Sequence, residues 1–467
     1  MVNPQQMDEV RLAQYGQQHL LRYWNDLSPQ QRAELTKQLQ AVPWESMEQL
    51  LGGNEHEENW NALAAQAEGP PAIRLNGEGA KFDEQQAMEA GKRTLERGEV
   101  GALLVAGGQA TRLNFDHPKG MYPIGPISGA SLFQILCEKL LAVGRRSGKV
   151  PPLYVMTSPA THDETLEYFA AQNNFGLSSL DVMFFCQGTM PAVDAATGKI
   201  LMEDKHRLCL SPDGHGGMLD ALKKSGCFED MRSRGLQSLF YFQVDNPLVR
   251  MCDPRMLGYH LLHQSQATTK AVAKRSPLDR VGNIVSIGQQ VRIIEYSDLP
   301  ESAAQRRQAD GSLTLWAGNT AIHIFDVEFL ISLTQTGQEL PFHRASKIVP
   351  HLDHTGRFVE PEQPNALKFE RFIFDVLPRA QNPLVLECDA DQEFAAVKKK
   401  PGSGLESPEW VQEKMTALFS GWLKSCGVSI PAGQPVEISP LWADWPDEVK
   451  RRVAEGKSST NFYFHIE

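Results

Sequence analysis

The amino-acid sequence predicts an α/β fold built on a doubly wound, Rossmann-like mixed sheet. Three observations carry this: short apolar runs bounded by turn residues, helical segments between them, and chemistry-bearing residues where the runs end. The runs are residues 100–106, 153–157, 182–186, 238–244 and 270–274. Each is short and rich in aliphatic or aromatic side chains, as a strand covered on both faces requires. Residues 131–144 and 162–173 read as helices. In the first, Leu132, Ile135, Leu136 and Leu140 recur at helical spacing behind Ser131 as a start signal. Residues 282–287 and 290–296 flank Gly288-Gln289, a two-residue turn that predicts a β-hairpin added to the sheet.

The first 95 or so residues read as helical. Leu12, Tyr15, His19, Leu20 and Tyr23 fall at spacings of three and four. Ser28-Pro29-Gln30-Gln31 has the form of a capping box with proline at the first helical position. Residues 51–79, rich in Gly, Asn, Glu and Pro, read as loop, and Asp83 as the cap of a helix ending near Gly98. The expected division is a helical region over 1–95, a central catalytic domain over 96–385 and a small C-terminal domain over 386–467.

A length of 467 residues suits about two to three domains. Hydrophobic content of 41% and charged content of 22% are ordinary for a globular chain. The net charge of −11, with no basic arm or stripe, argues against wholesale nucleic-acid binding. It leaves room for an anionic substrate, because a local Lys/Arg cluster can hold one. The seven cysteines are scattered and form no CxxC pair, which suits reduced thiols. The N-terminal stretch lacks a signal-peptide core, and no run approaches 18 apolar residues. A cytoplasmic protein with no membrane partner is expected.

The stretch 100–133, VGALLVAGGQATRLNFDHPKGMYPIGPISGASLF, is the centre of the functional reading. A buried strand running into Gly107-Gly108 lets backbone N–H groups approach a phosphate without a Cβ in the way. Arg112 adds a fork of donors and Lys119 a point charge to the same anion. The string is neither GxxxxGK[ST] nor GxGxxG. Strand, GGxxTRL and PKGMY in succession resemble the signature loop of the sugar-1-phosphate nucleotidyltransferases. HLLRYWNDLSPQQRAEL near the N-terminus resembles the helical entry of their UDP-N-acetylglucosamine pyrophosphorylase branch.

Further motifs match that family in order, from His19 to about Lys398, with an echo at 436–441. FFCQG supplies Gln187, whose amide has a donor and an acceptor for a uracil edge. SPDGHGGM supplies Gly214 and His215 in a Gly-rich loop suited to phosphate or sugar contact. YFQVDNPL places Asp245 directly after an apolar run, where one carboxylate suffices to hold Mg²⁺ against substrate phosphates. Gly282 belongs with the predicted hairpin, Glu295 of IEYSD suits sugar hydroxyls, and Asn319 of WAGNTAIHIF suits a sugar or N-acetyl group. His323 reads as structural. Lys398 of QEFAAVKKK matches the lysine that follows an acidic-Phe pair in the family; Lys399 and Lys400 match nothing.

The resemblance implies a GT-A-like, nucleotide-diphospho-sugar transferase fold with an N-terminal helical portion and a small C-terminal domain containing β structure. It also implies that UTP and a sugar 1-phosphate give a UDP-sugar and pyrophosphate, with Arg112, Lys119 and Lys398 as the catalytic cations. Such chemistry needs no Ser-His-Asp set, because the sugar phosphate already carries an anionic nucleophile. Ala110 and Asn114 stand where relatives usually have Gly, and Asn tolerates the left-handed region. His215 stands where the N-acetylglucosamine branch usually has Asn. HG strings are common in UDP-glucose and broad-range UDP-sugar relatives, which keeps those substrates as an alternative. A non-catalytic nucleotide-sugar-binding protein is the alternative of another class. Residues 402–410 read only as a flexible loop.

Overall fold

The structure, a computed structural model, describes residues 4–52, 59–335, 339–457, 459 and 461–465. The chain forms two compact units, each discontinuous in sequence. The first comprises Met1–Glu58, Gln187–Asp220 and Glu339–Ile373; the second comprises Asn59–Cys186, Ala221–Gln338 and Phe374–Glu467. The N-terminal helices are therefore shared between both units.

In the first unit, helices Pro29–Ala41 and Trp44–Leu51 bury Leu35, Leu39, Trp44, Met47 and Leu50 with Val193, Ile200 and Phe369. The last of these lies in an antiparallel sheet of Phe342–Lys347, Ala366–Arg371 and Val193–Asp194. The Ser28 capping box forms as expected: Gln31 N donates to Ser28 Oγ at 3.3 Å and Ser28 N to Gln31 Oε1 at 3.0 Å. The helical spacing from Leu12 to Tyr23 does not make one helix. Helix Pro4–Gln14 stops before Gly16, whose φ of +68° ends it, and two short 3₁₀ turns follow. His19 and Gln17 are occupied elsewhere. His19 Nε2 meets the Ile200 carbonyl at 2.8 Å, and the buried Gln17 amide bonds both Gly198 O and Ile200 N.

The second unit is organised by a nine-stranded mixed sheet. Its strands are β1 (Val100–Val105), β2 (Leu153–Thr157), β3 (Val182–Cys186), β4 (Ser238–Gln243) and β5 (Ala267–Ala273). They continue with β6 (Asn283–Ile287), β7 (Gln290–Ile294), β8 (Ala317–Asp326) and β9 (Leu384–Glu387). The order β7-β6-β8-β4-β1-β2-β3 is extended by β5 beside β8 and β9 beside β5. The β1–β2, β1–β4 and β2–β3 pairs are parallel, so their C-terminal ends share one edge. The Gly288-Gln289 hairpin joins β6 to β7 as expected.

Two strands escape the sequence pattern. The long β8 runs antiparallel to β4 and β5, and its Asn319, Thr320 and His323 interrupt any apolar run. β9, only four residues long, pairs in parallel with β5. The sheet is thus mixed, as expected.

Helix α1 (Glu84–Arg97) is capped by Asp83 and closed by Gly98, and α2 (Leu132–Ser147) is capped by Ser131, as expected. Residues 51–79 are not all loop: Asn59 caps a helix, Trp60–Gln66, while residues 53–58 lie outside the described residues. The C-terminal stretch is mainly helical, with α3 (Pro408–Ser425) and α4 (Pro446–Ala454) around one short parallel pair, Glu437–Ile438 with Tyr463–Phe464. Val411, Met415, Ile438 and Phe464 share the core of Leu132, Phe133 and Leu136. Among the described residues no helix is long and apolar enough to cross a membrane.

Candidate active site

The loop after β1 is held by its carbonyls. Ser158 Oγ donates to Gly107 O at 2.7 Å, and Lys119 N donates to Gly108 O at 3.1 Å. In a planar trans peptide the N–H points away from its own C=O. The amides of Gly108 and Gln109 are therefore turned away from these anchors, and neither meets a protein acceptor among the described residues. Gly108 is exposed, and a Cβ there would meet nothing within 4 Å. The pair offers two donors to an incoming anion.

Beyond the glycines, Ala110 sits at φ −96°, so this position needs no glycine. Asn114 takes the left-handed conformation at φ +55°, which Asn accommodates. The 3₁₀ turn Thr111–Leu113 buries Leu113 and leaves Arg112 exposed. Gly120 is a close-approach position, since a Cβ would stand 2.2 Å from the Phe133 ring. Gly120→Ala is expected to cost about 1–3 kcal/mol through overpacking. An unchanged urea midpoint in that variant would contradict this packing.

Asp245 follows β4 at the same sheet edge, where Val244 N still bonds Val105 O at 3.1 Å. The Asp245 residue is only 9% exposed, and its Oδ2 lies 3.3 Å from Lys119 Nζ. Burial pushes its carboxyl up, but the charges of Lys119 and Lys398 outweigh this and hold it below the ordinary value. Lys398 enters on a segment whose Val397 N donates to Asp245 O at 2.9 Å. Lys399 instead pairs with Glu406 at 3.2 Å.

Two ammonium groups around one carboxylate leave a net positive site beside the free amides. Among the described residues no cluster of three or more His, Cys, Asp or Glu side chains could hold a metal. Asp245 alone is a hard, ionised oxygen donor of the kind Mg²⁺ takes when phosphates and water complete its shell.

A second cluster forms at the hairpin in this unit. Asn319 N donates to Gly282 O at 2.8 Å, and Glu295 Oε1 lies 3.0 Å from where a Gly282 Cβ would stand. Gly282, Glu295 and Asn319, far apart in sequence, thus meet. Asn319 Oδ1 is taken by Ala321 N at 2.9 Å. His323 is buried between the Tyr241 and Phe325 rings, in line with a structural role.

The remaining candidates belong to the first unit. Buried Gln187 precedes Gly188, whose carbonyl accepts Asp213 N at 3.1 Å. The SPDGHGGM loop turns at Gly214, φ +84°, and is tied down by an ion pair between buried Asp213 and Arg371 at 3.1 Å. His215 stacks on Phe372, and its Nδ1 accepts Ile373 N–H at 3.1 Å. Although the residue keeps some exposure, desolvation of its imidazole, aided by the His343 charge, pushes its pKa down to about 4. It is neutral at physiological pH. Sequence reasoning missed Ser158 and the Asp213–Arg371 pair. Ser158 carries the signal that singled out Asp245, a polar residue just past an apolar strand.

Residues 72–401 match the family described as UTP–glucose-1-phosphate uridylyltransferase. The chain belongs to that family. The matched span of this uridylyltransferase contains every candidate residue from Gly107 to Lys398. The chain is 36% identical to the UDP-N-acetylglucosamine pyrophosphorylase of Saccharomyces cerevisiae, over 91% of this chain and 92% of that protein. It is 34% identical to the human UDP-N-acetylhexosamine pyrophosphorylase-like protein 1, over 92% of this chain and 91% of that one. The crystal structure of the uridine diphosphate N-acetylglucosamine pyrophosphorylase from Trypanosoma brucei in complex with inhibitor shares the fold. It superposes with a TM-score of 0.81 at 23% identity, covering 100% of this chain and 99% of that one.

Proposed function

We propose that this uridylyltransferase uses N-acetylglucosamine 1-phosphate, with Lys119, Lys398, Arg112 and the Gly108 and Gln109 amides of the Gly107-Gly108 loop as its phosphate-binding groups. A phosphate oxygen of the sugar 1-phosphate attacks the α-phosphorus of UTP. One P–O bond forms, the bond to the β-phosphate oxygen breaks, and pyrophosphate leaves. No proton has to be removed from the nucleophile, so the protein's task is to align the partners and offset their charges.

The observation that carries this reading is the Lys119–Asp245 ion pair, with Lys398 brought in by the Val397–Asp245 backbone bond, beside unpartnered loop amides. Arg112 and Lys119 hold the triphosphate and its departing pyrophosphate, while Lys398 screens the attacking phosphate from the α-phosphate. Asp245 is the residue that would hold Mg²⁺. When bound, the ion supplies charge neutralisation at the α-phosphate and the leaving group. Gln187 is assigned the uracil edge, and Glu295, Asn319, Gly282, Gly214 and His215 the sugar and phosphate contacts.

The relatives named above favour N-acetylglucosamine. His215 favours the second reading, glucose 1-phosphate or several sugar phosphates. A cytoplasmic setting is proposed from the seven cysteines, all unpaired in the structure. A coupled pyrophosphate-release assay with UTP, Mg²⁺ and a panel of sugar 1-phosphates tests the function. Release is expected with N-acetylglucosamine 1-phosphate. Release with glucose 1-phosphate alone would overturn the sugar assignment, and no release with any sugar would favour a binding protein.

A further inference from the structure

The segment that delivers Lys398 is held by a buried polar device outside the phosphate site. Asn246, 3% exposed, donates from Nδ2 to Glu393 O at 2.8 Å. Its Oδ1 accepts Ala395 N at 3.0 Å and Leu248 N at 3.2 Å. With Val397 N on Asp245 O, residues 393, 395 and 397 are each tied to the Asp245-Asn246 corner. Beyond Lys398 the far end is fixed too, because Glu406 O accepts Lys398 N at 2.8 Å and Lys399 N at 3.0 Å.

The Glu393 side chain runs inward, where it accepts a short hydrogen bond from Lys270 Nζ and lies 3.6 Å from Arg250. Lys270, on β5 and 1% exposed, also reaches Asp253 Oδ2 at 2.7 Å. An ammonium buried between two carboxylates is a poor source of net stability, since apolar residues of similar volume often do as well. What it provides is one permitted position: a one-residue slip of the strap would part the buried Glu393 carboxylate from Lys270, which would keep only Asp253.

We infer that Glu393, anchored by Lys270 and clamped by Asn246, is a positioning residue that fixes the Lys398 ammonium for uridylyl transfer. This rests on the proposed reaction and on the role given there to Lys398. Glu393, Lys270 and Asn246 are all buried, and they act through the register of the strap.

The test is a kinetic cycle on the full chain. kcat and KM for UTP are measured for wild type, Glu393→Gln, Lys398→Ala and the double variant. Glu393→Gln is expected to lower kcat about ten- to a hundredfold, as for a misplaced reacting group, with KM for UTP little changed. In the Lys398→Ala background the same substitution is expected to have almost no further effect. Asn246→Asp, which keeps the acceptor and loses the donor to Glu393 O, is scored in the same way should Glu393→Gln fail to fold. An undiminished Glu393 effect without Lys398, or an unchanged kcat in folded Glu393→Gln, would overturn the inference alone. No transfer by wild type would overturn the reaction reading and this inference with it, and full activity of Lys398→Ala would overturn the role given to Lys398 and with it this inference.

Discussion

Lys119→Ala is expected to lower kcat by ~10²–10³-fold, roughly 3–4 kcal/mol of transition-state stabilisation by analogy with a lost oxyanion donor. The fold is expected to survive. The structural work of this residue is done by its backbone amide on Gly108 O, which alanine retains. The ammonium, by contrast, faces Asp245 at 3.3 Å and is 17% exposed, placed to meet a substrate phosphate. Steady-state kinetics with UTP and N-acetylglucosamine 1-phosphate, paired with circular dichroism, separates the two roles. Full activity in a folded variant would remove Lys119 from the phosphate site.

Asp245→Asn is expected to raise the Mg²⁺ concentration needed for half-maximal activity steeply. The amide keeps the size of the side chain but discards its charge, the property a hard divalent cation requires. It also leaves Lys119 and Lys398 without their shared anion, so any residual activity is expected to be more sensitive to salt. An Mg²⁺ titration that overlays the wild-type curve would count against Asp245 as the ligand. The pH dependence has a definite sign. Because the carboxyl is held below its ordinary 3.8, its ion pairs stabilise the fold fully above that value and are lost as pH falls through the depressed one.

Much of the fold could be read from periodicity because five sheet strands are dense apolar runs. Caps at Ser28, Asp83 and Ser131 are local signals, carried by a side chain and an amide three residues on. Local pattern fails where tertiary partners decide. The spacing from Leu12 to Tyr23 suits a helix, but Gly16 and the bonds of Gln17 and His19 to residues 198–200 favour a broken path. Strand β8 carries polar residues that only its neighbours satisfy, as when Thr320 Oγ1 donates to Lys270 O at 3.0 Å.

The site divides the same way. Gly107 and Asp245 are visible because a motif and a strand end coincide at each, and Lys119 because it stands in the PKGMY string. Asn246 and Glu393 support these groups through bonds to residues distant in sequence, which no window of sequence displays. Asp213 and Arg371 are 158 residues apart, yet they form the ion pair that fixes the Gly-rich loop. Their residue types alone could not distinguish such a pair from two ordinary surface charges.

The most direct measurement is a crystal structure of the full chain with Mg²⁺ and UTP. The triphosphate is expected within hydrogen-bond reach of the Gly108 amide, Arg112 and Lys119, with Lys398 near the α-phosphate and the ion on Asp245. A triphosphate bound elsewhere, with Lys119 still paired to Asp245 and no ion there, would contradict the convergence of these charges on one nucleotide.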